Sequence, residues 1–395
     1  MLRPDIRVAE FIGGHESTAE RVLDPGRHAD LALERLLAAL GFGGLDLPQT
    51  LGRSVTGEAS LTLTEGTQVA VRDMALDLGG NRVSGAADLD LAGDVPRFNA
   101  QIDAGALDLS DLAGAEGAGG DGSGPSGWSK DRIDASGLAA ANGALALVAE
   151  SVNLGDLKLG RTRALMTLDR SRAVFELREV RAYDGLVTGE FVVNNRSGLS
   201  VGGTTRAEGI DLERFLADAM DVTRFAASAS GEVSFLGSGP SVDAIMKSLS
   251  GTGRVATGRG VISGIDLDRL MRAGDVTGGT TIFDEMSASF TIEGGNLINR
   301  DLAMRLPLAR AEGQGRIGLG ARDIDYLFTP VLLEGESTRG LAIPVRIRGS
   351  WENPAITPDL EKAIDMNLAA EREALEEEAE ERLEREVQER LGVAP

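Results

Sequence analysis

The sequence predicts a mainly β protein, in which repeated antiparallel β meanders form a curved, elongated sheet with an apolar groove. Two observations predict this fold. Apolar and polar residues alternate strictly over runs of strand length, and glycine, asparagine or proline separates one run from the next. Glycine is also abundant, at 52 of 395 residues, and recurs at every second or fourth position of many runs. Such glycines are expected where the backbone twists, bulges or lies close to another group.

The clearest alternation lies between residues 286 and 347. Because successive side chains of a strand point to opposite faces, its apolar residues share one face of the predicted sheet. Residues 293–296, Glu-Gly-Gly-Asn, are expected to form a turn within this region. The residues that we predict to line the groove are Met286, Ala288, Phe290, Ile292, Ile317, Leu319, Ile343, Val345 and Ile347.

A short phrase recurs where such meanders end. A strand is followed by Asp-Leu and then by an amphipathic stretch, with the aspartate at Asp108, Asp211 and Asp266. An aspartate at this place can accept hydrogen bonds from the first free amides of a helix. We therefore interpret the three residues as helix caps, and the chain as a set of related strand-strand-helix modules separated by short amphipathic helices.

Composition divides the chain into six segments. The last of them begins at Pro358-Asp359 and is predicted to be a long charged helix, with a narrow apolar seam that either pairs with another helix or is solvated. The predicted segments are an N-terminal segment with one helix (1–47), a β module (48–112), a Gly/Ser-rich linker (113–127), a second β module (128–236), a third (237–358) and the charged helix (359–395).

Two stretches match the sequence pattern of a catalytic or cofactor motif but lack the structural context that the motif requires. Residues 251–256 match the dinucleotide fingerprint, but a helical pattern precedes them and a β pattern follows, which is the reverse of the required order. Ser200 lies in a G-x-S-x-G match, yet both histidines of the chain, His15 and His28, precede it, and the hydrolase order requires a later one. We predict no enzyme activity, catalytic residue or cofactor.

The overall composition disfavours several classes of partner and binding site. The formal net charge of −22 disfavours nucleic acid and charge-driven binding to an anionic membrane surface. The absence of cysteine excludes disulfides and thiolate metal sites, and the two histidines are interpreted as solvated rather than as metal ligands. The sequence shows no signal peptide and no run of 18 apolar residues, so the chain is expected to be soluble or to have lost an upstream anchor.

Several spaced phrases resemble the C-terminal region of AsmA family proteins. They are "LSGTGRVATGRGVISGIDL" (249–267), "GLAIPVRIRGSWENPAITPDLE" (340–361), "GWSKDRIDASGLAAANGALALVAESVNLGDLKLGR" (127–161) and "AYDGLVTGEFVVNN" (182–195), within a likeness that runs from about Leu51 to Leu360. The resemblance implies an envelope protein of the periplasm and inner membrane, involved in outer-membrane biogenesis. It also implies an apolar β groove that carries phospholipid, and it supplies no catalytic residues.

Residue pattern and resemblance together predict phospholipid or acyl chains as the ligand, with the inner membrane or an envelope assembly partner as further partners. An alternative stays open, in which the amphipathic helices seal the groove and the chain is a periplasmic scaffold that binds a partner through its C-terminal helix. The sequence leaves the oligomeric state open.

Overall fold

The computed structural model describes residues 55–64, 67–110, 127–155, 157–220, 222–264, 266–267, 269, 278–332 and 341–391. The described part is mainly β, as predicted, and consists of one large, curved, open sheet. The strands are β1 (Val55–Thr64), β2 (Gln68–Leu78), β3 (Asn81–Asp90), β4 (Arg97–Asp108), β5 (Asn142–Leu154), β6 (Leu157–Asp169), β7 (Arg172–Ala182), β8 (Gly185–Asn194), β9 (Ser200–Asp211), β10 (Phe225–Ser238), β11 (Ser250–Ser263), β12 (Thr280–Phe283), β13 (Glu285–Glu293), β14 (Asn296–Arg305), β15 (Ala309–Gly318), β16 (Asp323–Leu332), β17 (Val345–Ser350) and β18 (Ala355–Pro358).

Three α-helices accompany the described strands. They are α1 (Leu212–Met220), α2 (Val242–Ser248) and α3 (Leu360–Leu391), and Ser136–Ala139 forms one turn of 3-10 helix. All three lie where the sequence predicts a helix. The predicted helix in residues 1–47 and most of the linker 113–127 lie outside the described residues.

Nearly every strand pairs antiparallel with its neighbour in sequence, as the meander pattern predicts. β12 and β13 pair with successive parts of β11. The exception is β4, which runs parallel to β5 from Arg97 opposite Asn142 to Asp108 opposite Asn153. The prediction of purely antiparallel meanders is wrong at this point, because residues 109–141 are long enough for the crossover that a parallel pair requires.

The sheet is continuous through the module boundaries drawn from composition. Residues 236 and 237, on the two sides of one such boundary, both lie in β10. The end of the sheet that carries the β5–β6 and β7–β8 turns is here called the upper end. The opposite end, with the β6–β7 and β8–β9 turns, is called the lower end.

The tight turns are of two kinds. Gly79-Gly80 and Gly294-Gly295 have positive φ angles and close two-residue hairpins, as their sequence predicts. Arg170-Ser171 and Tyr183-Asp184 close identical hairpins, also with positive φ. Neither turn has glycine or asparagine at its two central positions, and only the Asp184-Gly185 dipeptide signals a turn in the sequence.

One face of the sheet, here called the apolar face, carries an unbroken cross-strand row of apolar residues and glycines. Each member of the row is paired with the next by strand register, from β2 to β16. Alternation places polar side chains on the opposite, polar face. The members are Val71, Ala87, Ala100, Leu145, Met166, Phe175, Phe191, Gly203, Phe235, Gly251, Ile292, Leu297, Ile317 and Ile324.

Two clusters of buried side chains form the core. The C-terminal cluster joins β12–β17 around Phe283 and Val345, which are 0% and 2% exposed. The N-terminal cluster joins β3–β5 around Ala104 and Ala149. Strands β7–β9 supply no residue of either cluster.

Aromatic rings lie over glycines of the neighbouring strand. A Cβ atom added at Gly253 would lie 2.4 Å from Cζ of Phe290, and one at Gly260 would lie 2.3 Å from Cζ of Phe283. Both distances are far below van der Waals contact. These glycines therefore leave the space in which a ring packs flat on the backbone, a cross-strand pairing that stabilises glycine-rich sheets.

We predict that Gly253→Ala destabilises the protein by about 1–3 kcal/mol, because the Phe290 ring must leave its site. Gly258 lies on the same strand, and a Cβ added there has nothing within 4 Å. Gly258→Ala is therefore the matched control and should leave stability unchanged or raise it by about 0.4–1 kcal/mol. Urea unfolding of both variants measures the difference, and equal midpoints would contradict this role for Gly253.

Candidate functional site

The centre of the apolar face is formed by three phenylalanines, Phe175, Phe191 and Phe235, here called the phenylalanine strip. Their ring centroids are 6.1 Å apart between Phe175 and Phe191 and 6.3 Å apart between Phe191 and Phe235. All three side chains are only half-buried. The strip lies on β7, β8 and β10, mostly in the region that the two core clusters do not reach.

Glycine makes the strip continuous. Phe191 and Phe235 face each other across Gly203 of the intervening strand β9. Strands two apart are separated by about 9.6 Å, so rings whose centroids are 6.3 Å apart must lean over the glycine. The result is a thin apolar surface made of rings and bare backbone.

The sequence pattern alone does not identify the phenylalanine strip. Its signal is one phenylalanine in each of the phrases "AVFEL", "GEFVV" and "VSFLG", at apolar positions of an alternating pattern. Alternation alone does not reveal that the three strands bring these positions into one row. The register that does so depends on turns without glycine.

The nine predicted groove residues occupy two environments. Met286, Ala288 and Phe290 are half-buried on the apolar face of β13, whereas Ile292 is only 4% exposed. Leu319 follows β15 and is 9% exposed. The remaining four pack in or against the C-terminal cluster, as Met286 also does, and they are Ile317, Ile343, Val345 and Ile347. Contact of these nine residues with lipid stays a prediction.

Helices α1 and α2 lie at the two ends of the strands. α1 contacts β9 and β10 at the upper end, where the Phe215 ring meets Tyr183 edge-on at 5.6 Å and Tyr183 Oη donates a hydrogen bond to Asp218. α2 contacts β10 at the lower end, and Ser241 caps it by accepting from the Ala244 amide. These positions leave the middle of β7 and β8, with two rings of the phenylalanine strip, between the helices.

The predicted capping role is confirmed at Asp211, which precedes α1. Asp108 and Asp266 accept comparable amide hydrogen bonds, but the stretches predicted to follow them as helices lie largely outside the described residues. Asp211 accepts hydrogen bonds from the amides of Glu213 and Arg214, at 3.1 and 3.3 Å. Asp108 accepts from the Ser110 amide and Asp266 from the Arg269 amide, both at 3.0 Å. The hydrogen bonds from Ser110 hold the pKa of the Asp108 carboxyl below its usual value. Asp108 also accepts a hydrogen bond from Asn153 Nδ2 on the neighbouring strand β5, at 3.1 Å.

Residues 127–140, here called the strap, run along the lower end of the sheet. The Trp128 indole donates to the Leu319 carbonyl at 2.7 Å, and its ring meets Trp351 edge-on at 6.3 Å. The Arg322 guanidinium lies over both indole rings, 5.6 and 5.9 Å from their centroids. Farther along, the Ile133 amide donates to the Pro240 carbonyl beside α2. The strap thus joins turns of distant strands.

The polar face carries ion pairs. Glu232 lies between Arg206 and Arg254, whose hydrogen bonds lower the pKa of its carboxyl. This row borders a shallow cavity of about 580 Å³ on that face, which Ser289 and Asp301 also line. Among the residues that the structure describes, no group of three or more His, Cys, Asp or Glu side chains could hold a metal ion.

Acidic residues that alternate with apolar ones along the strands form ion pairs on the polar face. Asp88 pairs with Arg72 at 2.6 Å, and Asp323 pairs with Arg316 at 2.6 Å. The Arg316 hydrogen bonds lower the pKa of the Asp323 carboxyl. Such contacts are typical of acidic residues on the solvent-facing side of a strand.

One polar network crosses the sheet at a bulge between β13 and β14. Asp301 accepts from the Ser289 amide at 2.9 Å, from the Ser289 hydroxyl at 2.5 Å and from Asn299 Nδ2 at 2.8 Å. Tyr326 Oη donates to Asn299 Oδ1 on the apolar face. The Ser289 hydrogen bonds lower the pKa of the Asp301 carboxyl, and burial raises that of the Tyr326 phenol.

The two motif matches of the sequence lie in strands. Residues 251–256 are inside β11, so no helix follows them at the place that a dinucleotide loop requires. Ser200 begins β9, and its hydroxyl accepts a hydrogen bond from Asn194 Nδ2 at 3.2 Å. No helix among the described residues is long and apolar enough to cross a membrane.

Fold and site together define a class of protein: a single, curved, largely antiparallel sheet with one apolar face and helices at its strand ends. The sequence model of the AsmA family matches residues 25–302, which is 278 of 395 residues. The chain belongs to the AsmA family, whose members are envelope-associated. No curated protein and no solved structure matches it.

We predict that Asp301→Asn lowers stability in a pH-dependent way. Because the folded-state pKa of Asp301 is lowered, its contribution is fully present above the unfolded-state pKa of about 4 and disappears as the pH falls through the lower folded value. The difference in unfolding free energy between parent and variant should therefore be largest at neutral pH and shrink in acid. Urea melts at several pH values measure it, with Asp94→Asn in the exposed β3–β4 turn as control. A difference that does not vary with pH would contradict the prediction.

We also predict that Trp128→Ala releases the strap. The variant loses an indole hydrogen bond, a ring contact and a cation–π contact, at a cost of about 2–4 kcal/mol. Trp128→Phe keeps a ring and should lose only about 1 kcal/mol. Hydrogen exchange of the amides of residues 128–140 should accelerate strongly in the alanine variant and weakly in the phenylalanine variant. Unchanged exchange in both would show that the strap is held elsewhere.

Proposed function

We propose that this AsmA family protein binds the acyl chains of phospholipid on the apolar face of its sheet, without catalysing a reaction. The observation that carries the proposal is the phenylalanine strip. Phe175, Phe191 and Phe235 form a continuous row of rings that is half-buried, and β7–β9 contribute to neither core cluster. A contiguous, partly exposed apolar patch on a protein surface is typical of an interaction site.

Acyl chains suit this surface for a physical reason. They have no directional bonding groups, and burial of each methylene contributes about 0.8 kcal/mol. Burial of about ten methylenes would yield roughly 8 kcal/mol, before the cost of restricting the lipid. A thin surface of rings and glycine leaves room for such a chain, whereas a headgroup would meet the polar residues at the strand ends.

In the proposed function the protein lies in the periplasm, in association with the inner membrane, and takes part in outer-membrane biogenesis by binding or transferring phospholipid. The location of the family in the envelope supports this part of the proposal. The helices at the strand ends are compatible with it, because the middle of β7 and β8 lies between them.

Photo-crosslinking tests the binding face without depending on an unstable variant. Benzoylphenylalanine at position 235 should crosslink phospholipid from vesicles or from the expression host, as should the same residue at position 191. The adjacent polar-face positions 234 and 190 are matched controls and should not crosslink lipid. Equal crosslinking from both faces would overturn the placement.

A second measurement tests the binding energy. Phe290→Asp places a charge on the apolar face and should reduce uptake of labelled phospholipid from vesicles about tenfold, since tenfold corresponds to about 1.4 kcal/mol. Thr291→Asp puts the same charge on the polar face and should leave uptake unchanged. Circular dichroism checks that both variants fold. A purified protein without lipid by mass spectrometry that also takes up none from vesicles would refute the proposed function.

A further inference from the structure

The C-terminal helix α3 contacts the rest of the described protein near its first turns. Asp359 caps the helix by accepting from the Lys362 amide, and Ala363 is 8% exposed. The Asn367 side chain accepts from the Ala342 amide and donates to the Ala342 carbonyl, both at 2.9 Å, in the manner of a neighbouring strand. The rest of α3 extends for about 36 Å beyond this clamp.

An apolar seam runs along α3 away from its contact with the sheet. Side chains four or seven residues apart lie on the same side of a helix. The five large residues of the seam are each more than half exposed, a level otherwise reached among the described large apolar side chains only by Leu236 and Leu308. They are Leu360 at 66%, Ile364 at 61%, Leu368 at 55%, Leu375 at 63% and Leu383 at 65%.

The charge around this seam is strongly negative. Residues 360–391 contain twelve Asp or Glu and five Lys or Arg residues, so the helix has a formal charge of 5 − 12 = −7. Three consecutive acids, residues 376–378, follow Leu375 of the seam directly. A partner surface must therefore combine apolar side chains with positive charge.

Charge also decides between the candidate occupants of the seam. Two copies of α3 side by side would bring −14 together within a Debye length of about 8 Å. An anionic bilayer surface would repel the helix for the same reason. Apolar burial and charge attraction both favour a basic amphipathic helix, because its apolar side covers the seam and its cations face the acids of α3.

We propose that α3 is a docking helix for a basic amphipathic helix of a partner protein. The seam from Leu360 to Leu383 is about 35 Å long, so the partner helix needs about 24 residues to cover it. This interaction is independent of lipid binding, since it uses no residue of the apolar face.

A designed peptide tests the proposal without a known partner. The probe is a labelled 24-residue helix with leucines at alternating three- and four-residue spacing and lysines beside them, and the matched probe has glutamates in place of the lysines. In fluorescence anisotropy with the full chain at 150 mM salt, the lysine probe should bind at least about tenfold more tightly. The double variant Leu375→Gln, Leu383→Gln should weaken binding of the lysine probe about tenfold.

Glu380→Gln removes one exposed acid but no apolar side chain and should alter binding far less, and circular dichroism checks that the glutamine variants keep the helix. Equal affinity of both probes, or no effect of the double variant, would overturn the proposal. Dimerisation in sedimentation, or binding to vesicles of phosphatidylethanolamine and phosphatidylglycerol, that the double variant abolishes would assign the seam to a second copy or to a bilayer instead.

Discussion

Backbone pairing between neighbouring strands is the constraint on which this structure depends. Because nearly every strand hydrogen-bonds to the next one in sequence, the pleat carries every second side chain of neighbouring strands to the same face. Within the described part of the chain, β7–β9 supply no residue of the two core clusters. The half-buried phenylalanine strip lies mostly in this part of the sheet, and the proposed lipid binding rests on it.

Glycine and phenylalanine are complementary in this sheet. Rings lie over Gly253 and Gly260 and lean over Gly203, so few aromatic residues cover a large area of backbone. The polar face is organised differently, by exposed ion pairs such as Arg254 with Glu232. Exposed pairs contribute little to stability, about 0–1 kcal/mol each. Packing on the apolar face therefore contributes more to stability than the exposed ion pairs of the polar face do.

The sequence predicts the β class, the three described helices, the Asp211 cap and the Gly-Gly turns, because each has a local signal. It misses the features that depend on register or on distant contacts. The phenylalanine strip requires hairpins at Arg170-Ser171 and Tyr183-Asp184, where ordinary residues adopt the conformation that glycine favours. The parallel β4–β5 pair and the Trp128 contact with Leu319 join segments that no local pattern connects.

The strap has a consequence for how the chain folds. Hairpins between adjacent strands close short loops and form early, whereas the Trp128–Leu319 hydrogen bond links residues 191 positions apart. Docking of the Trp128 end of the strap must therefore wait until β15 and β16 have formed. During synthesis on the ribosome, residues 127–140 emerge long before their binding site exists, and a nascent chain must keep Trp128 from contacts that would trap it.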